Sequence, residues 1–197
     1  MLVQGYKAGE TAAERASGQR GLEADESSLR GALSVLEGFL GNQGGVRVAE
    51  ATRELETISD EALGMMRSEQ SLRAGIDRYE RLERRLQTLS LAGKSMRYNR
   101  ELMAALSLRN LLTCSKLAAK MAMERKESRG LHLREDYPYI DNAEWQVRQL
   151  AQLTDGTDRI WKKEPVVTRI PARKAEKVDY ETFILEEDLG MKNMEEQ

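Results

Sequence analysis

The sequence predicts a mainly α fold, an antiparallel helical bundle followed by a small C-terminal β-hairpin, on three observations. The three prolines stand at 138, 165 and 171, so the first 137 residues hold no helix breaker except scattered glycine. Within that span apolar residues recur every three or four positions, the period of a helix buried on one face. Further on, Asp155-Gly156 lies between two partly alternating runs, a hairpin signal.

Residues 2 to 16 carry Leu2, Tyr6, Gly9, Ala12, Ala13 and Ala16, a small-residue stripe at helical spacing suited to close packing, and Ser17-Gly18-Gln19 stops it. From Glu23 to Leu40, Leu29, Leu33, Leu36 and Leu40 form the apolar stripe of a second, short helix, closed by Gly41, Gly44 and Gly45. A third begins at Val46 and runs through Val48, Ala51, Leu55, Ile58 and Ala62 to Met65 or Met66. Residues 69 to 90 place Leu72, Ile76, Tyr79, Leu82, Leu86 and Leu89 on one face. Asn99 to Lys126, free of Gly and Pro and bearing Leu102, Leu106, Leu112, Leu117 and Met121, predicts the central helix. The last three make a bundle of the spectrin-repeat kind. At Ser128-Arg129-Gly130 helix gives way to a turn-rich loop through Tyr137-Pro138-Tyr139, and Trp145–Leu153 with Arg159–Val167 form the hairpin. The organisation is therefore a leading helix at 1–20, a bundle at 21–127, loop and hairpin at 128–170, and a tail at 171–197. The tail has no clear apolar period until Tyr180, Phe183, Ile184 and Leu185 and ends in the polar stretch 191–197, so it is expected to be loose, with an aromatic cluster suited to docking.

Composition removes several functions. With 31 basic against 33 acidic residues the net charge is −2, which provides no global field for gathering nucleic acid. One cysteine forms no internal disulfide, and with a single histidine it makes no dedicated zinc or iron–sulfur site. No stretch approaches the ~20 apolar residues of a membrane helix, and the first residues lack the pattern of a secretory signal, so a cytoplasmic chain is expected.

The dense stretch is 125–138, Arg-Lys-Glu-Ser-Arg-Gly-Leu-His-Leu-Arg-Glu-Asp-Tyr-Pro. Arg129 and Arg134 offer rigid forks for carboxylates or phosphates, and His132 changes charge near neutral pH. Against a binding role stands a structural one, in which Glu127 and Asp136 neutralise the arginines internally and the loop fastens the domain to a neighbour. Elsewhere the bland readings prevail: the methionines as core, Cys114 as a buried thiol, and Arg78, Arg81, Arg84 and Arg85, interleaved with Glu80 and Glu83, as a solvated helix face.

The pattern Arg125-x-Glu127-Ser128-Arg129-Gly130-x-His132-x-Arg134-x-Asp136-Tyr137-Pro138 resembles the C-terminal-domain motif of the succinate dehydrogenase and fumarate reductase flavoprotein family. Leu108-Arg109-Asn110-Leu111-Leu112 upstream, Met66, Arg67, Leu72 and Gly75 before it, and Trp145 to Val166 after it extend the likeness over about residues 46 to 167. Gly5-Tyr6-x-Ala8-Gly9 and Ala12-Ala13 resemble the last helix of that family's flavin-binding domain, and the aspartate oxidase and adenylylsulfate reductase branches share parts of the motif. The resemblance implies part of an FAD-dependent oxidoreductase that interconverts succinate and fumarate, or a related acid, and passes electrons to an iron–sulfur subunit. It also implies that the flavin cradle and the dicarboxylate-binding residues lie upstream of Met1. No catalytic, flavin-binding or metal-ligating residue is therefore carried over, and the chain alone is expected to bind no cofactor and to be inactive. Arg125, Arg129, His132, Arg134 and Asp136 are candidates for docking a flavin-binding domain, in cis or in trans, with the chain held at the inner face of the membrane through partner subunits. Alone, such a domain is expected to self-associate through its uncovered face. The alternative is an autonomous helical interaction module without redox function.

Overall fold

The computed structural model describes residues 2–19, 25–154, 157–166, 176–182 and 184, and divides the chain into two units, 1–38 and 39–197. The first holds helix α1 (Leu2–Gly18) and most of α2 (Glu26–Gly41). Asp25 caps α2, accepting from the Ser27 and Ser28 amides at 3.2 Å each. Those amides and the two serine hydroxyls favour its charged form, the Ser28 hydroxyl most, and hold its pKa at about 2. The predicted leucine stripe of α2 is largely uncovered: Leu29 and Leu33 are exposed, and Phe39, absent from the predicted stripe, is the buried residue of this helix.

The second unit contains helices α3 (Val48–Leu63), α4 (Glu69–Leu86) and α5 (Arg100–Glu124), packed on one another. Contacts between α3 and α4 fall in opposite order along the two helices, Ala62 against Gly75, Ser59 against Tyr79, then Glu54 and Glu50 against Arg85, so the pair is antiparallel as expected. Tyr79 is fully buried and donates its hydroxyl to Ser59 Oγ at 3.0 Å, which satisfies the one polar atom it brings into the core. Ser68 opens α4 with a capping box shared with Ser71. The predicted arginine face of α4 meets its acids across the helix pair, Arg78 with Glu61 and Arg85 with Glu54 and Glu50.

Two sequence expectations need correction here. The buried face of α5 is Leu102, Ala105, Leu108, Leu112, Ala119 and Ala122, whereas Leu106, Leu117 and Met121 are only half-buried and Cys114 is exposed. Cys114 follows Leu112 by two residues, ~200° around the helix, and so points away from the core. The third helix stops at Leu63, which leaves Met65 and Met66 outside it and exposed.

Asn99 begins α5: its Oδ1 accepts from Leu102 N at 3.0 Å, while its Nδ2 donates to the carbonyls of Gly93 and Ser95 at 2.9 and 2.8 Å. Asn99→Ala removes the cap and two loop ties together and is expected to cost about 1–2 kcal/mol in urea unfolding. A loss of a few tenths would show that backbone packing alone holds the 93–98 loop.

Strands are short. β1 (Met66–Arg67) pairs in parallel with β2 (Leu133–Arg134), and β3 (Tyr139–Asp141) pairs antiparallel with β6 (Lys177–Asp179). The predicted hairpin is β4 (Arg148–Thr154) with β5 (Thr157–Lys163), in the register Leu150 opposite Trp161. Its Asp155-Gly156 turn lies outside the described residues, as do Phe183 and Leu185 of the tail cluster. The part of the tail that is described docks: Lys177–Asp179 forms β6, and Tyr180 donates its hydroxyl to Gly130 O at 2.8 Å.

Candidate functional site: a charged clasp at the end of α5

The loop after α5 has to bury polar backbone, and it does so with charged side chains. Glu127 is fully buried. Its Oε1 accepts from Arg125 and from Arg129 Nε at 2.9 Å, and its Oε2 accepts from Arg129 Nη2 and the Asp141 amide, each at 2.9 Å. Arg125 further donates to Gln149 Oε1 at 3.0 Å and to the carbonyls of Trp145 and Val147 at 3.1 and 2.9 Å, tying the end of α5 to the start of the hairpin. Its guanidinium also lies over the Trp145 ring at 5.2 Å, with Lys162 Nζ 3.5 Å from the same ring centre.

Arg134 is the largest fully buried side chain. It grips Asp136 with two parallel bonds of 2.7 Å and gives its remaining fork to the carbonyls of Ala122, Met123 and Arg125 at 2.8, 3.2 and 3.3 Å. A cation thereby satisfies carbonyls that end α5, where the helix dipole favours positive charge. Asp136 also accepts from the Glu69 amide at 2.9 Å, at the positive N-terminus of α4. The hydrogen bonds from Arg134, with the Glu69 amide behind them, hold the Asp136 carboxyl below its ordinary range. One ion pair thus joins the end of α5 to the start of α4.

His132 is more than half buried. Arg67 Nη1 donates to its Nδ1 at 2.9 Å, and its Nε2 lies 3.2 Å from Arg125 O. Arg67 spends its other donors on Leu63 O and Gly64 O at 3.1 and 2.9 Å, so β1 and the end of α3 are latched to the loop. The backbone bridge between Arg129 and His132 turns on Gly130, whose φ of 57° suits a residue without Cβ. Asp141 is buried; burial pushes its carboxyl up, but hydrogen bonds from Lys177 and the Glu144 amide outweigh this and hold it low.

The structure brings all five sequence-predicted residues, Arg125, Arg129, His132, Arg134 and Asp136, into this clasp, with Glu127 and Asp136 as their acids. Sequence reasoning gave no role to Asn142 or Gln149, named Arg67 only within the family resemblance, and named Tyr180 only within the tail's docking cluster. Arg67 meets His132 across 65 positions through a two-residue strand pair, which leaves no periodic signal. Among the described residues no group of three or more His, Cys, Asp or Glu is placed to hold a metal ion. Nor is any described helix long and apolar enough to cross a membrane.

A three-helix bundle closed by a loop whose buried charges are spent on its own backbone and on each other defines a structural helical domain. The model of the fumarate reductase flavoprotein C-terminal region matches residues 52–183. The fumarate reductase flavoprotein subunit of Escherichia coli is 29% identical over 179 residues, covering 88% of this chain and 30% of the relative. The succinate dehydrogenase flavoprotein subunit of Coxiella burnetii is 38% identical over 93 residues, covering 47% of this chain and 16% of the relative. Among solved structures, E. coli quinol fumarate reductase superposes with a TM-score of 0.77 at 29% identity, over 85% of this chain and 30% of that one. The Mycobacterium smegmatis Sdh1 complex gives 0.75 at 27%, over 87% of this chain and 29% of that one. Adenylylsulfate reductase of Archaeoglobus fulgidus shares the fold at 19% identity, with a TM-score of 0.62, over 75% of this chain and 26% of that one. The chain belongs to the succinate dehydrogenase and fumarate reductase flavoprotein family, of which it is the C-terminal domain, and it spans less than a third of the length of these relatives.

Proposed function

We propose that this domain braces the flavin-binding domain of an FAD-dependent oxidoreductase of the succinate/fumarate type, in cis or in trans, and carries no complete active site of its own. In this reading the assembly passes electrons to an iron–sulfur subunit and sits at the inner face of a membrane through its partners. Cofactor and substrate chemistry belong to the flavin-binding part, because hydride transfer needs a reactive ring held against substrate in a shielded pocket.

The observation that carries the reading is the outward side of α5. Met103, Ser107, Asn110, Leu111, Cys114 and Ala118 are exposed there and none is charged, while α3 and α4 face solvent with arginine–glutamate ladders. An exposed neutral strip on the central helix of so charged a chain suits a partner surface. The clasp flanks this helix at its C-terminal end. In this reading Arg129, one third exposed, is the clasp residue that meets the partner, whereas Arg134 is wholly internal and acts through the shape of the loop.

Detecting the native polypeptide in its source cells with an antibody against residues 172–197 tests this. A band well above 22.3 kDa that carries FAD, or a band at 22.3 kDa that co-purifies with a flavin-bearing polypeptide, supports bracing. A free 22.3 kDa band without flavin supports the autonomous module. Leu111→Glu supplies the matching prediction: a surface change expected to shift stability by about 0.5 kcal/mol or less while abolishing association with the flavin-bearing part, read by co-elution of 450 nm absorbance. Undiminished co-elution would place the docking face elsewhere.

A further inference from the structure

We infer that the Arg67–His132 contact is an acid-released latch, which holds the β1–β2 pair closed while the imidazole is neutral and frees it when the ring takes up a proton. Arg67 is a donor only, so His132 Nδ1 must be the acceptor and bears no proton; Nε2–H then donates to Arg125 O. A proton on Nδ1 sets N–H against N–H at 2.9 Å and removes the acceptor.

The surroundings offer the cation no free carboxylate, only the Arg125 carbonyl that Nε2–H already holds. Arg67 faces the ring from β1, Arg125 from the end of α5, Arg134 from β2, and Arg129 pairs with it across the Gly130 turn. Of the neighbouring carboxylates, Glu127 is taken by Arg125 and Arg129, and Asp136 by Arg134. The pKa of His132 is accordingly lowered from 6.5, by burial first and then by Arg67, Arg134 and Arg125, against a raising contribution from Arg125 O.

The sign follows. A base with a depressed folded value binds its proton more readily when unfolded, so this stability is whole above pH 6.5 and is lost as pH falls through and below it. Asp136, depressed below 3.8, loses its contribution only at much lower pH, so the two steps are separable. Release lets go of Leu63 O, Gly64 O and the Glu135 amide, which donates to Arg67 O at 2.9 Å. Weakened docking in acid is a further consequence that rests on the bracing role; the latch itself is read on this chain alone.

The chain has one histidine, so its Hε1 proton resonance reports the ring without ambiguity. The 197-residue chain is titrated from pH 8 to 5 by NMR, with amide exchange followed at Glu135. The ring is expected to titrate below 6.5, and Glu135 exchange, corrected for intrinsic rate, to rise about tenfold or more in acid, the factor that one hydrogen bond to a charged group is worth. His132→Gln, whose amide accepts from Arg67 and donates to Arg125 O without titrating, is expected to flatten the profile. A ring titrating at or above 6.5, a flat wild-type profile, or one that His132→Gln leaves unchanged overturns the inference. The ring titration needs no variant, so the test survives if His132→Gln fails to fold.

Discussion

Glu127→Gln is expected to destabilise this chain by about 3–5 kcal/mol, because it removes the buried carboxylate that Arg125 and Arg129 share and leaves two guanidiniums behind. All four acceptor positions of Glu127 are taken, by Arg125, twice by Arg129, and by the Asp141 amide. A glutamine keeps the volume but replaces one oxygen with a donor that faces donors. Arg129 retains Asn142 Oδ1 at 2.9 Å and is one third exposed, so water relieves part of its charge. Arg125 is more deeply held, and its ties to Trp145, Val147 and Gln149 are the ones that seat the hairpin on α5. Urea unfolding monitored by circular dichroism should therefore show a lower midpoint with an unchanged slope. Glu83→Gln is the control: Glu83 pairs with Lys116 at 2.9 Å but is half exposed, and the loss should be about 1 kcal/mol or less. Equal losses for the two variants would contradict the claim that burial of Glu127 sets the energy.

That contrast also explains what was legible in the sequence. Helices α3 and α4 were readable because their apolar residues fall on one face, as in Leu72, Ile76, Tyr79 and Leu82, all buried in the structure. The face of α5 was misread because apolar residues surround that helix: Leu106, Leu111, Leu117 and Met121 lie off the buried side, and period alone does not rank competing stripes. The exposed Cys114 and Met103 follow from the same ambiguity. The clasp was visible as a density of charge between 125 and 138, and the pairing of Glu127 and Asp136 with its arginines needed only proximity in sequence. Arg67 and Tyr180 reach it from distant segments through pairings of two or three residues, too short to leave a pattern, and Gln149 reaches it from the predicted hairpin, whose seat on α5 no period reports. Long-range partners of that kind are set by how the bundle folds, and no local run of residues encodes them.

Gly75 was readable as part of a motif, yet its reason lies in the third dimension. A Cβ built there sits 2.3 Å from the Ala62 Cβ, well inside van der Waals contact, so α3 and α4 approach as closely as they do because position 75 has no side chain. Helix propensity alone argues the other way, since alanine is favoured over glycine by about 1 kcal/mol in a helix interior. Gly75→Ala is therefore a contest between that gain and the overpacking cost of about 1–3 kcal/mol. The cost should win, because the neighbour is a methyl on a fully buried helix face, with no rotamer to turn away. Gly75→Leu has no comparable offset and should cost about 3 kcal/mol or more, the upper end of that range, by prising the two helices apart beside Tyr79. Pairing Gly75→Ala with Ala62→Gly exchanges the methyl across the interface, and the double variant should recover most of the loss, giving a coupling of about 1 kcal/mol or more. Additive losses would mean that the close approach of α3 and α4 is set elsewhere, by Tyr79 and its bond to Ser59 or by the ladder from Arg85 to Glu50, and that the missing side chain at 75 is incidental.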